Sequence, residues 1–377
     1  TDAEWLIPHF EKMLYDNAQL LRMANWAQAE TGNQIFRDRI EQTVAWLLRE
    51  MRTGDGFASS LDADTEGGEG IYYTWPQEEL QLALGNRFED FSDSFSLGSP
   101  AHWEGAPVIY QTETQVHSSE MKPEELREVR SLLLAYRDEH RERPGRDDKI
   151  LTDWNGLMVQ SLAEVGRFLQ RTDWTDVAAE VFEMIIGSAD ERGRLPHSVR
   201  GDRRRFPGFS TDYASVINAA VSLYEATGER NYLHRATSLL EQLDMWHGDD
   251  DGTGHYLTAS DSSDVPLRIR GDVDEAIPAA NAQIIAAIAR LACATDNHEL
   301  AWRANAIANH AVARIRDQQF GQVGIISAAA LAHNMIRLVI VDDASGNLVA
   351  VANRIPDPRR VDSIYQVGQV DLLQLAD

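Results

Sequence analysis

Residues 5–21 read WLIPHFEKMLYDNAQLL, and the prediction of the fold starts from this stretch. We predict that a helix begins at Pro8, because the first position of a helix does not need the backbone N–H that proline lacks. At about 100° per residue, four polar residues then share one stripe of the helix: His9, Lys12, Asp16 and Gln19. Three apolar residues form the neighbouring stripe: Phe10, Leu14 and Leu21. This adjacency favours the mouth of a lined cavity, although a Lys12–Asp16 pair on a solvated face explains the same spacing.

A unit of two helices recurs along the chain. Each unit starts with a polar residue before an apolar-periodic helix and breaks at Thr-Gly or an equivalent, which is ordinary chemistry for ending a helix. The four breaks are Thr31-Gly32, Thr172-Asp173, Thr227-Gly228 and Thr295-Asp296, and half of a further unit starts near Ser327. Repeats of this size stack as helical hairpins that bury their faces against neighbours. The pattern predicts an all-α fold, and periodicity alone is also compatible with an open superhelix.

Residues 76–150 are the least regular part of the chain. We predict a short helix from Pro76 to Gly85 and a longer, charged helix from Lys122 to Arg141. The stretch between them, Ser96 to Ser119, contains His102 and Trp103 and is predicted to be a loop. A loop of this length inside a compact domain is usually functional or disordered.

Four segments together resemble one protein family. They are residues 5–20, residues 62–75 (DADTEGGEGIYYTW), residues 147–157 (DDKILTDWNGL), and residues 211–214 leading to 223–227. In this order they resemble the spermatogenesis-associated, thioredoxin-domain-containing family, whose bacterial members are called YyaL-like. The resemblance implies an (α/α)6-type toroid of helical hairpins, similar to sugar epimerases and six-hairpin glycosidases, that follows a thioredoxin-like domain.

The resemblance also implies a domain division. We expect the toroid to cover residues 1–338 and a small α/β appendage to cover residues 339–377, where Leu338 to Val341 and Val361 to Val370 are strand-like. Thr1 already stands next to the family signature. We therefore expect the thioredoxin-like domain, and the first helices of the toroid, to precede this sequence in a longer protein.

Composition limits the partners. The chain has 35 basic and 60 acidic residues, a formal net charge of −25, which argues against nucleic acid and anionic membrane surfaces. Cys293 is the only cysteine, so no internal disulfide can form, and we interpret it as a packed core thiol. No apolar run is long enough for a membrane span and no signal peptide opens the sequence, so a cytoplasmic location is the default.

Acidic residues stand at the starts of helices or in turns beside them, positions that converge on one rim of a toroid. The predicted catalytic residues are His9, Lys12, Asp16, Asp62, Asp64 and Asp153. The predicted substrate-binding residues are Trp5, Glu11, Asn17, Tyr73, Trp75, Trp154, Asn155, Asp212 and Tyr213. Aromatic rings beside carboxylates suit a carbohydrate, which has apolar faces and hydroxyl edges. The alternative is structural, because Asp153, Asp212 and Asp16 can each cap a helix.

The acidic residues after Gly56 partly match a calcium-binding loop. The stretch from Gly56 to Asp62 alternates like a short strand and would deliver Asp62, Asp64 and Glu66 to one side. The calcium-loop pattern fails, because Tyr73 stands where a bidentate glutamate is required. We therefore expect no metal ion and no cofactor.

Three function classes remain open at this point. The first is a carbohydrate-active enzyme, epimerase-like or hydrolase-like, that acts on a small-molecule substrate. The others are a non-catalytic glycan- or peptide-binding module, or a structural toroid, either serving an attached thioredoxin-like domain. Epimerases of related fold use paired histidines, whereas His9 has no obvious partner. Four other histidines are available: His102, His197, His255 and His333.

Overall fold

The structure is a computed structural model that describes residues 3, 5–65, 67–98, 107–112, 114–115, 121–315, 319–342, 346–355 and 357–367. Helices account for 58% of the chain, which confirms the all-α prediction. Contacts divide the chain into a first unit, Thr1–Met13 with Ser60–Asp147, and a second unit, Leu14–Ser59 with Asp148–Asp377. Each unit is described by itself.

The α-helices and strands are numbered in chain order. The helices are α1 (Leu14–Thr31), α2 (Gln34–Trp46), α3 (Gln77–Leu84), α4 (Phe88–Ser94), α5 (Pro123–His140), α6 (Thr152–Leu169), α7 (Thr172–Gly187), α8 (Ser210–Thr227), α9 (Asn231–His247), α10 (Ala280–Thr295), α11 (His298–Arg314), α12 (Val323–His333) and α13 (Asn347–Ala352). The strands are β1 (Lys12–Met13), β2 (Arg52–Thr53), β3 (Gly56–Phe57), β4 (Ser60–Leu61), β5 (Asp64–Thr65), β6 (Gly68–Glu69), β7 (Ser96–Leu97), β8 (Ile109–Tyr110), β9 (Arg146–Asp147), β10 (Ile150–Leu151), β11 (Ser198–Arg200), β12 (Arg203–Arg205), β13 (Ile336–Asp342) and β14 (Arg360–Gln366).

The second unit is built from helical hairpins. The pairs α1–α2, α6–α7, α8–α9 and α10–α11 each turn at one of the four predicted breaks, and α12 is the predicted further half-unit. Gly228 and Asp296 adopt the left-handed conformation that ends a helix, with φ of 75° and 55°. The inner helices α1, α6, α8, α10 and α12 pack on one another in that order. The hairpin prediction is confirmed.

Small residues let the inner helices approach closely. A Cβ added at Gly156 on α6 would lie 2.6 Å from the Ser215 hydroxyl oxygen on α8. Helices α6, α8 and α10 are buried along most of their length, and nearly every residue of α8 is enclosed. Polar side chains on these helices therefore face either a neighbouring helix or an internal space.

The predicted start of the first helix is wrong. Helix α1 begins at Leu14, not at Pro8, and the two residues before it form β1, which pairs antiparallel with β4. The Leu14 N–H donates to the Ser59 carbonyl at 3.0 Å, so an outside partner satisfies the first turn. Long-range pairing thus competes with the helix before residue 14. His9 and Lys12 consequently do not share a helical stripe with Asp16.

The acidic turn is also not one strand. Gly56 to Asp62 divides into β3, which pairs with β2, and β4, which pairs with β1 and β9. Asp62 follows β4 and Asp64 lies in β5, and both are exposed. Glu66 lies outside the described residues.

The first unit has a small core of its own. Trp75, Leu80, Leu84, Phe91 and Val129 are buried together there. Helix α3 confirms the predicted short helix and α5 confirms the predicted longer one. Within the predicted loop, β7 and β8 pair antiparallel, whereas His102 and Trp103 lie outside the described residues.

The described C-terminal part consists of β13, α13 and β14. The two strands pair in parallel, with Ile336 opposite Arg360, and β14 packs against α8 and α10. The predicted division between residues 338 and 339 stays a prediction, as do the domains expected before this sequence. Among the described helices, none combines the length and the apolar character that crossing a membrane requires.

Candidate functional site

Three titratable side chains meet where α6 and α8 begin. Asp153 is the second residue of α6, Asp212 is the third residue of α8, and His197 immediately precedes β11. The His197 Nδ1 lies 3.1 Å from Asp212 Oδ2, and Asp212 Oδ1 accepts the Asp153 backbone N–H at 2.9 Å. We call Asp153, His197 and Asp212 the acid–histidine cluster.

The local fold explains this meeting. The first N–H groups of a helix have no intrahelical acceptor. Asp212 accepts the N–H of Phe209, the residue just before its own helix, at 2.6 Å and the N–H of Asp153 in the neighbouring helix at 2.9 Å. Strand pairing between β10 and β11 brings His197 to the start of α6, where the Thr152 N–H donates to the His197 carbonyl at 3.0 Å. Backbone contacts therefore hold all three residues in place.

Burial and mutual charge shift the pKa of all three residues of the cluster upward. Burial, followed by the Asp212 charge, raises the pKa of Asp153 to about 7. Burial also raises the pKa of Asp212, against the opposing effect of its hydrogen bond with His197. Burial alone would lower the pKa of His197, but the hydrogen bond to Asp212 and the charges of both acids raise it. Asp153 can therefore release and regain a proton near pH 7.

The three members differ in accessibility. Asp212 is completely buried and Asp153 is 5% exposed, whereas the His197 side chain is 29% exposed. No group among the described residues hydrogen-bonds His197 Nε2. His197 is therefore the member that can present a nitrogen atom to a bound molecule.

The cluster also has the composition of a metal site. One ligand atom from each of the three residues lies within 4.8 Å of the others. However, both Asp212 oxygens already accept backbone N–H groups, and Asp153 Oδ1 accepts the Trp154 N–H at 2.9 Å. The hydrogen-bond set is thus well satisfied within the protein, and the absence of a metal ion stays a prediction.

Three predicted binding residues directly follow members of the cluster along α6 and α8. Trp154 is half-buried and meets Tyr15 edge to face, with ring centroids 4.6 Å apart. Asn155 is completely buried, its amide bonded to both backbone groups of Phe57, and the Tyr213 hydroxyl accepts the Leu195 N–H. Asn155 and Tyr213 thus have structural roles, and substrate contact by either stays a prediction.

The half-buried Asp16 and Asn17 lie in the first turn of α1. Their predicted part in catalysis and binding, like the single rim expected for all fifteen residues, stays a prediction.

Lys12 and Tyr73 contact each other in the first unit. The Lys12 Nζ lies 3.4 Å from the centroid of the Tyr73 ring and donates to the Phe10 carbonyl at 2.7 Å. Burial, with a smaller effect of the Arg137 charge, lowers the pKa of Lys12 to about 8. Lys12 thus has an aromatic environment within this unit.

The remaining predicted residues of the first unit are mostly at the surface. Exposed positions are Trp5, His9, Glu11, Asp62 and Asp64. Trp75 is instead buried in the core of this unit, where Arg141 lies over its ring. The predicted roles of these six residues stay predictions.

Sequence reasoning missed a second group of charges. A central cavity of about 690 Å³ lies inside the second unit and is lined by the inner helices. Arg22 on α1 donates to Glu164 on α6 at 2.8 Å, and Arg290 on α10 donates to Glu225 on α8 at 2.9 Å. Arg167 on α6 also pairs with Glu225, at 3.3 Å. We call these five residues the arginine–glutamate network.

A signal for the network was present in the sequence. Asp153, Leu157, Gln160, Glu164 and Arg167 follow one another at spacings of three or four residues, so they share one face of α6. The last four of these line the cavity. This stripe, polar at four of its five positions on a largely apolar helix, therefore marks the cavity. Its N-terminal residue, Asp153, belongs to the acid–histidine cluster.

The paired charges of the network do not titrate alike. Burial would raise the pKa of Glu164, but Arg22 and Arg290 outweigh it and lower the pKa. At Glu225 burial prevails over Arg290 and Arg167 and raises the pKa. Glu164 is thus held ionised by its neighbours.

Comparison with known proteins identifies relatives. No protein-family model matches the chain. Spermatogenesis-associated protein 20 of Mus musculus is 30% identical over 326 residues, which cover 74% of this chain and 41% of that protein. The human protein of the same name is 29% identical over 330 residues, covering 74% and 41%. The chain is a homologue of spermatogenesis-associated protein 20.

This homology confirms the resemblance found in the sequence, and the chain spans about two fifths of the length of these relatives. The thioredoxin-like domain expected before this sequence stays a prediction.

A solved structure confirms the toroid. A sugar epimerase from a ruminal bacterium matches with a TM-score of 0.52 at 11% identity, covering 82% of this chain and 62% of that one. Cellobiose 2-epimerase from Bacillus thermoamylovorans has a TM-score of 0.49 at 12% identity, covering 82% and 63%. The first likeness shows that this chain has the (α/α) toroid fold of a sugar epimerase.

Proposed function

We propose that the second unit is an acid–base enzyme that acts on a carbohydrate and that His197 is its proton-transfer residue. One observation carries the proposal: the fully buried Asp212 holds His197 through Nδ1, and Nε2 is left without a partner among the described residues. A carboxylate that binds one ring nitrogen fixes the tautomer and makes the other nitrogen a base.

The proposed step is proton transfer next to a carbonyl group. His197 Nε2 removes the proton from the carbon beside the carbonyl of an open-chain sugar, and the C–H electron pair forms the double bond of an enediolate. Return of the proton by His197 to the neighbouring carbon gives an isomer, whereas an epimer forms when a second acid donates a proton to the opposite face of the enediolate. The fold shared with a sugar epimerase supports this class.

Glycoside hydrolysis fits the cluster less well. It requires two carboxyl groups that both reach the scissile bond, about 5–5.5 Å apart in retaining enzymes and about 6.5–9.5 Å apart in inverting ones. Here the ligand oxygens of Asp153 and Asp212 lie within 4.8 Å of each other, and Asp212 is completely enclosed. The geometry therefore favours epimerase-like or isomerase-like chemistry over hydrolysis.

Two further features support a carbohydrate substrate. Trp154 follows Asp153 in the chain and Tyr15 lies at the start of α1, and the rings of both residues are half-buried and in contact. Such rings pack against the apolar face of a sugar. Asp153, with a pKa of about 7, can carry a proton at neutral pH and donate it to a sugar oxygen. A cytoplasmic location and an attached thioredoxin-like domain belong to the same proposal.

A second candidate function rests on the capping role of Asp212. Its oxygens bind Phe209 N and Asp153 N, as a purely structural residue would. In that case the toroid binds a glycan or peptide, or serves as a scaffold for the thioredoxin-like domain, without catalysis.

The test is exchange of carbon-bound hydrogen in D₂O. The protein is incubated with glucose, mannose, fructose, N-acetylmannosamine and cellobiose, and proton NMR follows loss of the signal next to the carbonyl and appearance of products. We expect exchange with at least one sugar, reduced about 10²–10⁴-fold in His197→Gln. His234→Gln, at an exposed position on α9, is the matched control and should keep the wild-type rate.

Three results would overturn the proposal: no exchange with any sugar, a wild-type rate in a folded His197→Gln variant, or release of reducing ends from a glycan without deuterium uptake. Thermal melts verify that each variant is folded.

A further inference from the structure

The central cavity is rich in positive charge for this protein. The whole chain carries a net charge of −25. The charged residues that line the cavity are nevertheless Arg22, Arg167, Arg290, Arg359 and Arg360 against Glu164, Glu225 and Asp357, and the buried Asp362 behind them pairs with Arg167 and Arg360. Positive charge in a partly enclosed space attracts an anion. The cavity therefore differs in character from the rest of the molecule.

Two buried acceptors in the cavity lining lack donors. Asn25 on α1 is 8% exposed and Gln283 on α10 is 6% exposed. Neither Asn25 Oδ1 nor Gln283 Oε1 has a hydrogen-bond partner in the described part of the chain. Gln283 Nε2 donates to the Pro278 carbonyl at 2.8 Å, which identifies Oε1 as the amide atom without a partner. Buried polar atoms are normally satisfied, so these two oxygens point to donor groups on a bound molecule, which reach them after a small rotation of each side chain because both oxygens are enclosed in the free protein.

Arg22 adds open donors next to these acceptors. Its Nε donates to Glu164, and its side chain remains 30% exposed. No described residue accepts a hydrogen bond from its two terminal nitrogens. The guanidinium lies 5.5 Å from the ring centroid of Trp26, which also lines the cavity. One helical turn of α1 thus offers charge, a neutral acceptor and an apolar ring.

We propose that the central cavity binds a small polyhydroxylated anion, a sugar acid or a sugar phosphate. The terminal nitrogens of Arg22 would receive the anionic group, and Asn25 Oδ1 and Gln283 Oε1 would accept hydrogen bonds from hydroxyls. Trp26 would cover an apolar face of the ligand. A volume of about 690 Å³ accommodates a monosaccharide or disaccharide derivative. The inference does not rest on the proposed catalysis, because no member of the acid–histidine cluster takes part.

The test is calorimetric titration at low salt with four probes: D-glucuronate, glucose 6-phosphate, glucose and inorganic phosphate. We expect one of the first two to bind at least tenfold more tightly than glucose and than inorganic phosphate. Comparison of glucuronate with glucose 6-phosphate identifies the anionic group as carboxylate or phosphate.

Two variants locate the site. Arg22→Gln should weaken binding of the preferred probe at least tenfold, whereas Arg37→Gln, in an exposed ion pair on α2, changes the net charge equally and should have no effect. Asn25→Leu should weaken binding about tenfold without lowering the melting temperature, because it removes an acceptor that has no partner in the protein. A merely structural asparagine would not show this combination.

The inference is overturned if no probe binds with a Kd below 10 mM, or if Arg22→Gln and Asn25→Leu bind like the wild type. Equal binding of glucose or of inorganic phosphate also overturns it. His197→Gln keeps the binding constant if the inference is right, even if the protein turns over no sugar. Loss of binding in His197→Gln alone would place the ligand at the acid–histidine cluster and refute the inference.

Discussion

The acid–histidine cluster and the arginine–glutamate network are both buried sets of charges in one unit, and they differ in their countercharges. In the cluster two acids share a single histidine, and the pKa of Asp153 rises to about 7. In the network Glu164 faces Arg22 and Arg290, and its pKa falls. Burial disfavours the ionised carboxylate in both places; the arginine charges outweigh burial at Glu164, whereas burial prevails at Glu225.

This difference in pKa suits the two groups of charges to different chemical roles. A group that titrates near neutral pH can take up and release a proton, which suits acid–base catalysis. Glu164, whose pKa falls beside Arg22 and Arg290, keeps its charge across the physiological range, because arginine does not deprotonate there. Fixed charges suit binding and orientation. We therefore assign the proposed proton transfer to the cluster and the proposed anion binding to the cavity that the network lines.

The largest expected effect tests the fixed charges of the network. Arg290→Met should lower the free energy of unfolding by about 3–5 kcal/mol, because it removes the arginine donor of Glu225 Oε2 in a buried space and leaves Arg167 as the remaining arginine partner of Glu225. Urea denaturation measures the loss. Arg37→Met, in an exposed pair on α2, should cost less than about 1 kcal/mol. Equal losses in the two variants would mean that the network is not a buried set of charges.

The next effect tests titration in the cluster. Folded Asp153 keeps a proton up to about pH 7, whereas an unfolded aspartate releases it near pH 4. In this window the folded state binds more protons than the unfolded state, so stability falls as the pH rises. The raised pKa of His197 acts with the same sign.

We therefore expect the wild type to lose about 2–3 kcal/mol relative to Asp153→Asn between pH 5 and pH 7. Urea denaturation at several pH values measures the difference. Parallel curves for the two proteins would show that Asp153 titrates normally.

A smaller effect separates capping from proton transfer at Asp212. Asp212→Ala should cost about 1–3 kcal/mol, because the Asp153 and Phe209 N–H groups lose their acceptor. Asp212→Asn keeps an oxygen for one of them and should cost less. Thermal melts give the stability of both variants, and NMR titration gives the pKa of His197. A wild-type histidine pKa in Asp212→Asn would remove Asp212 from its proposed role toward His197.

The smallest effect concerns a residue that lies outside both sets. His9 is exposed, so His9→Ala should change the free energy of unfolding by less than about 0.5 kcal/mol. Phe10→Ala, at the adjacent position with 2% exposure, should cost about 2–5 kcal/mol as a cavity mutant. Comparable losses in the two variants would show that His9 belongs to a buried structural set.

Several parts of the fold could be predicted from local patterns. The apolar period of 3.6 residues and the Thr-Gly breaks identify each hairpin, because both depend on interactions within one or two turns of the chain. The same patterns place Asp153 and Asp212 at the first turns of α6 and α8. The start of the first helix cannot be predicted from local patterns, because the pairing of β1 with β4, which precedes it, joins residues almost 50 positions apart.

The sequence by itself determined the hairpin units, their breaks and the acidic residues at the helix starts, since these follow from short-range periodicity and capping. Only the tertiary structure decided that His197, 15 residues before Asp212, is its partner, and that Arg22 meets Glu164 across 142 residues. The physical reason is that pKa and pairing depend on distance and burial in three dimensions, and neither can be read from spacing along the chain.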